Sequence, residues 1–194
     1  MHVFNSRADF DAQMKSVKKW MRTGQALDGV ADLQHDVAYS IGDSLVYWWV
    51  YAREAATADL VGHRRYHAVL APLDGDLTVE VAPKADLGPG IRAYSDIDDR
   101  ERFEGAGETV TIPAGGVAVV EIDEAYRVVA DAADSRVVVL HVTVEGYSFP
   151  TSSIRPFGRL LRAVKGDGFV DSLFPIPLSR CAVHDCACSP DGFR

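Results

Sequence analysis

Imidazole, guanidinium and phenol side chains occur together at residues 63–66, which read His-Arg-Arg-Tyr. The imidazole of His63 titrates near neutral pH, so it suits general acid or general base catalysis. An arginine binds a carboxylate or phosphate through two parallel hydrogen bonds. These residue types predict acid–base chemistry on a small molecule. The alternatives are a histidine hydrogen-bonded within the wall of the fold, and an internal ion pair for at least one of the two arginines.

The residues that follow this cluster have the pattern of a β-strand. After an Asp-Gly-Asp turn at residues 74–76, apolar side chains occupy every second position over residues 77–81, which is typical of a half-buried strand. Successive side chains of a strand point to opposite faces. If the strand before the turn includes residues 63–65, Arg65 shares a face with His63. We therefore expect Arg65 to bind the ligand.

Three further side chains are candidates for substrate binding. Glu80 lies on the strand just described, and His141 interrupts the apolar run VVVLHVTV, where it points either into a cavity or to the outer face. Trp49 belongs to the run LVYWWVYA, whose aromatic and β-branched residues predict a buried strand. Its ring suits stacking on a sugar or a planar ligand, although at strand spacing half of these aromatic residues should be core.

Composition and charge limit the class of partner. The chain has 194 residues, of which 47% are hydrophobic and 25% charged, as in an ordinary globular domain. Its net charge of −8 disfavours nucleic acid and anionic membranes as partners. Acidic and basic residues run through the N-terminal segment, and no apolar run approaches the roughly 20 residues of a membrane span. We therefore expect a cytoplasmic protein with a small-molecule substrate.

The order of elements predicts a mainly β fold. An amphipathic helix is expected over residues 8–21, with Phe10, Val17 and Met21 on its apolar face. From residue 37 to residue 144, short apolar runs alternate with turns rich in glycine, proline and aspartate. Such spacing is typical of a barrel or a jelly roll.

The C-terminal residues differ in character from the rest of the chain. We place the β-barrel domain at residues 1–146 and expect residues 147–194, which contain five prolines, to form an extension packed on the barrel. One short helix is expected over residues 154–164. The extension holds all three cysteines of the chain, and they lack the second ligand pair of a structural zinc site, so a reduced, thiol-bearing terminus is favoured. They are Cys181, Cys186 and Cys188, with His184 between them.

Six short motifs follow one another in the order HRRY, LDGD, EVAP, a Tyr-x-Asp turn, FEG and a proline turn at Pro113. On these motifs, residues 42–144 resemble the YhcH/YjgK/YiaL family, which includes the small subunit of evolved β-galactosidase. The resemblance implies a double-stranded β-helix, that is, a cupin-like jelly-roll barrel. It also implies a role in sugar or sialic-acid use, by an anomerase or ring-opening activity, and a metal inside the barrel.

The sequence departs from the family pattern where the metal ligands are expected. Family members read Glu-Ala-His-Arg-Arg-Tyr, whereas this chain has Val61 in place of the carboxylate and Ala68 in place of a later aspartate. Tyr126 stands where the family has a second histidine. One histidine does not make a site of three or four ligands, so we expect no metal and no cofactor. Tyr126 is then either a proton donor to a ring oxygen or a filler of the vacated space.

Together these features predict an isomerase, anomerase or lyase that acts on a polar, sugar-derived substrate without a metal. His63 and Tyr126 are the expected catalytic residues and exchange protons, while Arg65 holds an anionic group. A cyclase or dehydratase of specialised metabolism is one alternative, and a non-catalytic binding protein with a degenerate pocket is another. Pairing through a sheet edge makes a homodimer the expected assembly.

Overall fold

A computed structural model describes residues 1–129 and 135–144, which form two antiparallel β-sheets with short helices at the N-terminus. The helices in this part of the chain are α1 (Arg7–Met14), α2 (Lys18–Asp28) and α3 (Ala52–Ala55), with single 3-10 turns at Val30–Asp32 and Lys84–Asp86. The strands in the same part are β1 (His2–Phe4), β2 (Tyr39–Ile41), β3 (Leu45–Tyr51), β4 (Leu60–Gly62), β5 (Tyr66–Pro72), β6 (Leu77–Pro83), β7 (Arg92–Ser95), β8 (Arg100–Phe103), β9 (Glu108–Ile112), β10 (Val117–Val120), β11 (Glu124–Val128) and β12 (Arg136–Thr143).

The strand order is that of a jelly roll. The first sheet has the order β1-β10-β5-β12-β3-β2, and the second has the order β7-β8-β4-β11-β6-β9. From β3 to β6 the chain crosses from one sheet to the other at every connection, and it does so again from β9 to β12. Four central strands of the first sheet therefore stack on four of the second, as in cupins. The fold is mainly β and cupin-like, which confirms the prediction from the sequence.

The first sheet is buried on both faces. Along β12, Val137 and Val139 belong to the core between the two sheets, whereas Val138 and Leu140 belong to a second core beneath the helices. Two covered faces explain why this strand reads as an almost continuous apolar run instead of an alternating one. In the second sheet, β6 keeps the expected alternation, because Val79 faces the inter-sheet core and is fully buried.

Two helices replace the single N-terminal helix expected over residues 8–21. α1 begins after Ser6, whose side chain accepts a hydrogen bond from the N–H of Asp9 at 3.1 Å. The chain then leaves the helical conformation at Val17, where φ is −100° and ψ is 129°. This break changes the face that α2 presents to the sheet. Trp20 is therefore buried, and the prediction that Val17 and Met21 face the core is wrong, since they are 37% and 43% exposed.

None of the helices within the described ranges is long and apolar enough to span a membrane. The helix expected over residues 154–164, the extension over residues 147–194 and the cysteines lie outside the described residues.

Candidate functional site

His63 lies in a tight connection between the two sheets. β4 ends at Gly62 and β5 begins at Tyr66, so residues 63–65 carry the chain from the second sheet to the first. The prediction that Arg65 shares a face with His63 is therefore wrong, because strand alternation does not continue through a turn. Only 4% of His63 is exposed.

The main chain fixes the protonation of the His63 ring. Nδ1 lies 2.7 Å from the carbonyl oxygen of Asp99. A carbonyl oxygen only accepts hydrogen bonds, so in the neutral ring Nδ1 carries the proton and Nε2 presents a lone pair. The ammonium of Lys84 adds a restraint, since it donates to the carbonyl oxygen of His63 at 2.7 Å and pairs with Glu101 at 2.8 Å. One hydrogen bond to the ring of His63 and one to its main-chain carbonyl thus fix the position of the imidazole.

Asp99 organises the turn that contains His63. Its backbone has a φ of 53°, in the left-handed region that aspartate tolerates better than most residues. Its carboxylate is 3% exposed and accepts hydrogen bonds from the N–H groups of Arg64 and Arg65, at 3.1 and 3.0 Å, and from the hydroxyl of Tyr94 at 2.6 Å. Three donors compensate the loss of water around a buried carboxylate. Asp99 is therefore a positioning residue, which holds the turn with its side chain and the imidazole with its carbonyl.

A cavity of about 60 Å³ lies beside His63. Since one water molecule occupies about 30 Å³ of the liquid, this space is comparable to about two water molecules and has room for the reacting end of a ligand. Among the residues that the structure describes, the polar ones in the wall are Glu54, Thr57, His63, Arg100, Tyr126 and His141. The apolar part consists of Trp48, Val50, Ala55, Val61, Leu70, Val128 and Val139.

Three aromatic groups with ionisable atoms meet in this cavity. The ring centroid of His63 lies 4.7 Å from that of His141 and 6.3 Å from that of Tyr126. The ring of His141 is also packed edge-on against Trp48 and stacked on Tyr66. Of the two orientations that the sequence allows for His141, the structure has the inward one. His63 comes from the turn after β4, Tyr126 from β11 and His141 from β12, and all three side chains meet in the same cavity.

Burial determines the protonation of these groups. Loss of solvent lowers the pKa of His63 below its ordinary value of 6.5, and the Asp99 carbonyl and carboxylate partly oppose this. Burial also lowers the pKa of His141 well below its ordinary value, and positive charge on His63 and Arg100 acts in the same direction. Burial raises the pKa of Tyr126 to about 12. At neutral pH the wall, as far as the structure describes it, therefore presents two neutral imidazoles, a protonated phenol, the guanidinium of Arg100 and the carboxylate of Glu54.

The structure places Arg65 outside the wall of this cavity. Its guanidinium forms an ion pair with the carboxylate of Asp96 and donates to the carbonyl oxygen of the same residue at 3.3 Å. For Arg65 the structure therefore has an internal ion pair, the alternative to ligand binding that the sequence leaves open for one of the two arginines. Arg100 is the arginine that lines the cavity instead.

Glu80 and Trp49 also lie away from the cavity. Glu80 and Arg127 stand opposite each other on neighbouring strands, and their side chains pair at 2.7 Å on the face of β6 opposite Val79. Trp49 packs with the core beneath the helices, and its Nε1 donates to the carbonyl oxygen of Leu33 at 3.1 Å. The aromatic ring of β3 that lines the cavity belongs to the preceding residue, Trp48.

The residues that the structure describes do not fit the metal that the family resemblance implies. Metal sites in proteins use three or four nitrogen, oxygen or sulfur ligands. Over residues 1–129 and 135–144, no three His, Cys, Asp or Glu side chains are grouped closely enough to hold an ion. The two imidazoles of the cavity, from His63 and His141, are accompanied by the guanidinium of Arg100, whose charge opposes a bound cation.

No family model matches the chain, so the resemblance to the YhcH/YjgK/YiaL family stays a prediction. The chain is similar to protein NMB1881 from Neisseria meningitidis, with 18% identity over 61% of this chain and 94% of that one, at a TM-score of 0.35. It is also similar to a cupin protein from Bacteroides fragilis, with 12% identity over 63% and 90% of the two chains, at a TM-score of 0.38. A hydroquinone 1,2-dioxygenase from Sphingomonas sp. TTNP3 has 15% identity over 59% and 70%, at a TM-score of 0.37.

Proposed function

We propose that this protein is a small-molecule enzyme that removes a proton from the carbon next to a carbonyl group, as isomerases and many lyases do. The observation that supports this most directly is a neutral imidazole, that of His63, whose Nδ1 is held by a carbonyl oxygen in the wall of a cavity. The same cavity contains the phenol of Tyr126. A base and a hydrogen-bond donor in one desolvated space suit a reaction that passes through an enolate. A polar, sugar-derived compound with an enolisable carbonyl belongs to this class.

His63 is the base in this proposal. Its lowered pKa keeps Nε2 unprotonated at neutral pH, so the lone pair is available before the substrate binds. Nε2 takes the proton, the C–H electron pair moves into the new carbon–carbon double bond, and the carbonyl oxygen becomes an oxyanion. The Asp99 carbonyl stabilises the resulting imidazolium through Nδ1, at 2.7 Å.

Tyr126 stabilises the oxyanion by hydrogen bonding. A phenol with a pKa of about 12 keeps its proton, so it acts as a donor to the developing charge and does not exchange protons with His63. The guanidinium of Arg100 adds positive charge to the same cavity. His141 supplies a second neutral imidazole, which orients the ring of His63 by contact at 4.7 Å between centroids.

The fate of the enolate decides between isomerisation and elimination. An isomerase of an α-hydroxy carbonyl compound returns the proton from the His63 imidazolium to the former carbonyl carbon, where the electron pair of the double bond forms the new C–H bond. The hydroxyl on the α-carbon passes its proton to the oxyanion and becomes the new carbonyl group. A lyase or dehydratase instead expels a group from the carbon beyond the enolate, and a departing hydroxyl leaves as water after it takes the proton from the imidazolium. Both routes use the same first step, so that step is the one to test.

Exchange of carbon-bound hydrogen with solvent measures this first step without knowledge of the product. The protein is incubated in D₂O with 2-oxoisovalerate or with erythrulose, a simple ketose, and deuterium incorporation is followed by proton NMR. We expect exchange with at least one of them, and a loss of roughly 10²- to 10⁴-fold in His63→Gln. Exposed His2 provides a matched control, and His2→Gln should exchange at the wild-type rate.

The outcomes separate an enzyme from a binding protein. Equal exchange by wild type and His63→Gln, with both folded by circular dichroism, would overturn the assignment of the base. Should His63→Gln fail to fold, Tyr126→Phe serves in its place, with an expected loss of about 10-fold or more from the missing donor. No exchange with either compound would favour a non-catalytic binding protein. A cytoplasmic location and a homodimer belong to the same proposal.

A further inference from the structure

A second group of ionisable side chains lies on the other face of the first sheet, beneath α2. His67 belongs to β5, Lys19 lies in the first turn of α2, and Glu121 directly follows β10. Nζ of Lys19 lies 3.3 Å from Nε2 of His67, and Nδ1 of the same ring lies 2.9 Å from the carboxylate of Glu121. An amine, an imidazole and a carboxylate thus follow one another in space, each from a different part of the fold.

The fold holds this imidazole in place and leaves the amine within reach of solutes. His67 is 7% exposed, and its ring packs against that of Trp20 with the centroids 5.5 Å apart. Glu121 comes beside it because β10 pairs with β5. Lys19 and Glu121 are both partly exposed, so the amine at the rim is open to small molecules from solution.

The contact with Lys19 determines which nitrogen of the His67 ring carries the proton. A lysine ammonium only donates hydrogen bonds, so Nε2 is the acceptor, and in the neutral ring Nδ1 carries the proton. The carboxylate of Glu121 lies beside that N–H and stabilises positive charge that the ring gains. A nucleophile, a base and a group that orients the base, in this order, are the arrangement by which proteins activate a weak nucleophile.

We propose that Lys19 is a modification site, which takes an acyl group from an activated donor such as an acyl phosphate or an acyl thioester. The unprotonated amine attacks the acyl carbon, and its nitrogen becomes positively charged as the C–N bond forms. Nε2 of His67 accepts a proton from this nitrogen. The bond from the acyl carbon to the phosphate or thiolate then breaks, the leaving group departs with the electron pair, and Lys19 is left as an amide. The site lies apart from the cavity, so the proposal goes beyond the proposed function and does not depend on it.

Lys18 provides an internal comparison. It precedes Lys19 in the first turn of α2, so it shares the positive end of the helix, and it is the more exposed of the two. If exposure alone decided the rate, Lys18 would react faster. A positioned base contributes roughly 10²- to 10⁴-fold in enzymes, so we expect Lys19 to react at least about tenfold faster than Lys18.

Acetylation of the full chain by acetyl phosphate at mildly alkaline pH tests this expectation. Cleavage after aspartate releases residues 12–28 as one peptide, which contains Lys15, Lys18 and Lys19. Tandem mass spectrometry of that peptide over time gives the rate at each lysine in the same sample.

Variants of the other two groups locate the base. His67→Gln should lower the rate at Lys19 to that at Lys18 or below, because an amide is not a base. Glu121→Gln should lower it about twofold to fivefold, as expected for the loss of a partly exposed ion pair. Asp123→Asn is the matched control, since it removes one charge from an exposed position of the same turn and should leave the rate unchanged.

The outcomes are decisive for this site alone. A rate at Lys19 equal to or below that at Lys18 in the wild type overturns the proposal, and so does a fast rate at Lys19 in folded His67→Gln. If His67→Gln does not fold by circular dichroism, Glu121→Gln decides, and a wild-type rate at Lys19 in that variant overturns the proposal. None of these results bears on hydrogen exchange by His63, so failure of one proposal leaves the other standing.

Discussion

Replacing Asp99 with asparagine changes one oxygen of a buried carboxylate to an NH₂ group and leaves the shape of the side chain unchanged. Oδ1 accepts hydrogen bonds from the N–H of Arg64 and the hydroxyl of Tyr94, whereas Oδ2 accepts one from the N–H of Arg65. An asparagine with its oxygen at the Oδ1 position keeps the first two bonds in a weaker, neutral form. Its NH₂ group then faces the N–H of Arg65, so two donors oppose each other.

The magnitude follows from these three bonds. Loss of the charge-assisted bond to Arg65 costs about 1.5–3 kcal/mol, and each of the two remaining bonds weakens by about 0.5–1 kcal/mol when its acceptor becomes neutral. Asparagine tolerates the left-handed backbone at this position, so the main chain adds little. The free energy of unfolding should therefore fall by about 2.5–5 kcal/mol, a large part of the stability of an ordinary domain.

Urea denaturation of Asp99→Asn, followed by circular dichroism, measures this loss. Asp98→Asn is the matched control, because it removes the same charge from an exposed neighbour, and its stability should stay within about 0.5 kcal/mol of the wild type. A second readout separates positioning from stability. The Asp99 carboxylate lies 3.7 Å from Nδ1 of His63 and raises the pKa of that ring. Its neutralisation lowers that pKa further, and the acidic limb of the exchange rate moves to lower pH. Denaturation midpoints that coincide for the two variants would refute our account of the turn.

Two further predictions concern the stability of the fold. The pKa values of His63 and His141 are lowered in the folded protein and return to about 6.5 when the chain unfolds. On acidification the unfolded chain therefore binds more protons than the folded one. The free energy of unfolding should fall as the pH drops below about 6.5. Urea denaturation between about pH 8 and pH 5 should show this slope in the wild type and in His2→Gln, and a smaller one in His63→Gln. Phe10 is the fully buried residue of α1 and packs edge-on against Phe4 and Trp20, so Phe10→Ala should lose about 3–5 kcal/mol of unfolding free energy. Met21→Ala, at an exposed position, should lose less than about 0.5 kcal/mol.

The β-strands were predictable from the sequence because their punctuation is local. Glycine, proline and aspartate at residues 74–76 and 113–116 end one strand and begin the next, and the structure has β5, β6, β9 and β10 on either side of these turns. The helical region was harder to predict. Phe10, Val17 and Met21 have helical spacing, but the backbone leaves the helix at Val17, and the packing of Trp20 on the sheet then decides which face is buried.

The candidate site was predictable only in part, and the errors have a common physical cause. Alternation along β3 predicts which residues share a face of the strand, but it does not predict which face lines the cavity. The first sheet is buried on both sides, and β3 has aromatic residues on both of its faces. The sequence therefore indicates Trp49, whereas the structure has Trp48 in the wall of the cavity. β4 ends at Gly62, so the alternation of side chains between the two faces of the strand does not extend to Arg65. Arg100 carries no local signal at all, because its role depends on where β8 joins the second sheet.

The residues of the candidate site come partly from the central jelly roll and partly from the β7–β8 hairpin added to it. His63, Tyr126 and His141 come from β4, β11 and β12 or the turns next to them, which belong to the eight central strands. Arg100 and the positioning residue Asp99 come from β8 and the turn before it, in a hairpin that extends the second sheet beyond those strands. In the proposed function the central strands supply the base and the oxyanion donor, whereas the added hairpin orients the base and adds a guanidinium to the wall of the cavity. A related jelly roll with the same histidine but a different hairpin would keep the imidazole and change the groups that orient it and the charge beside it, since function resides in the site and not in the fold.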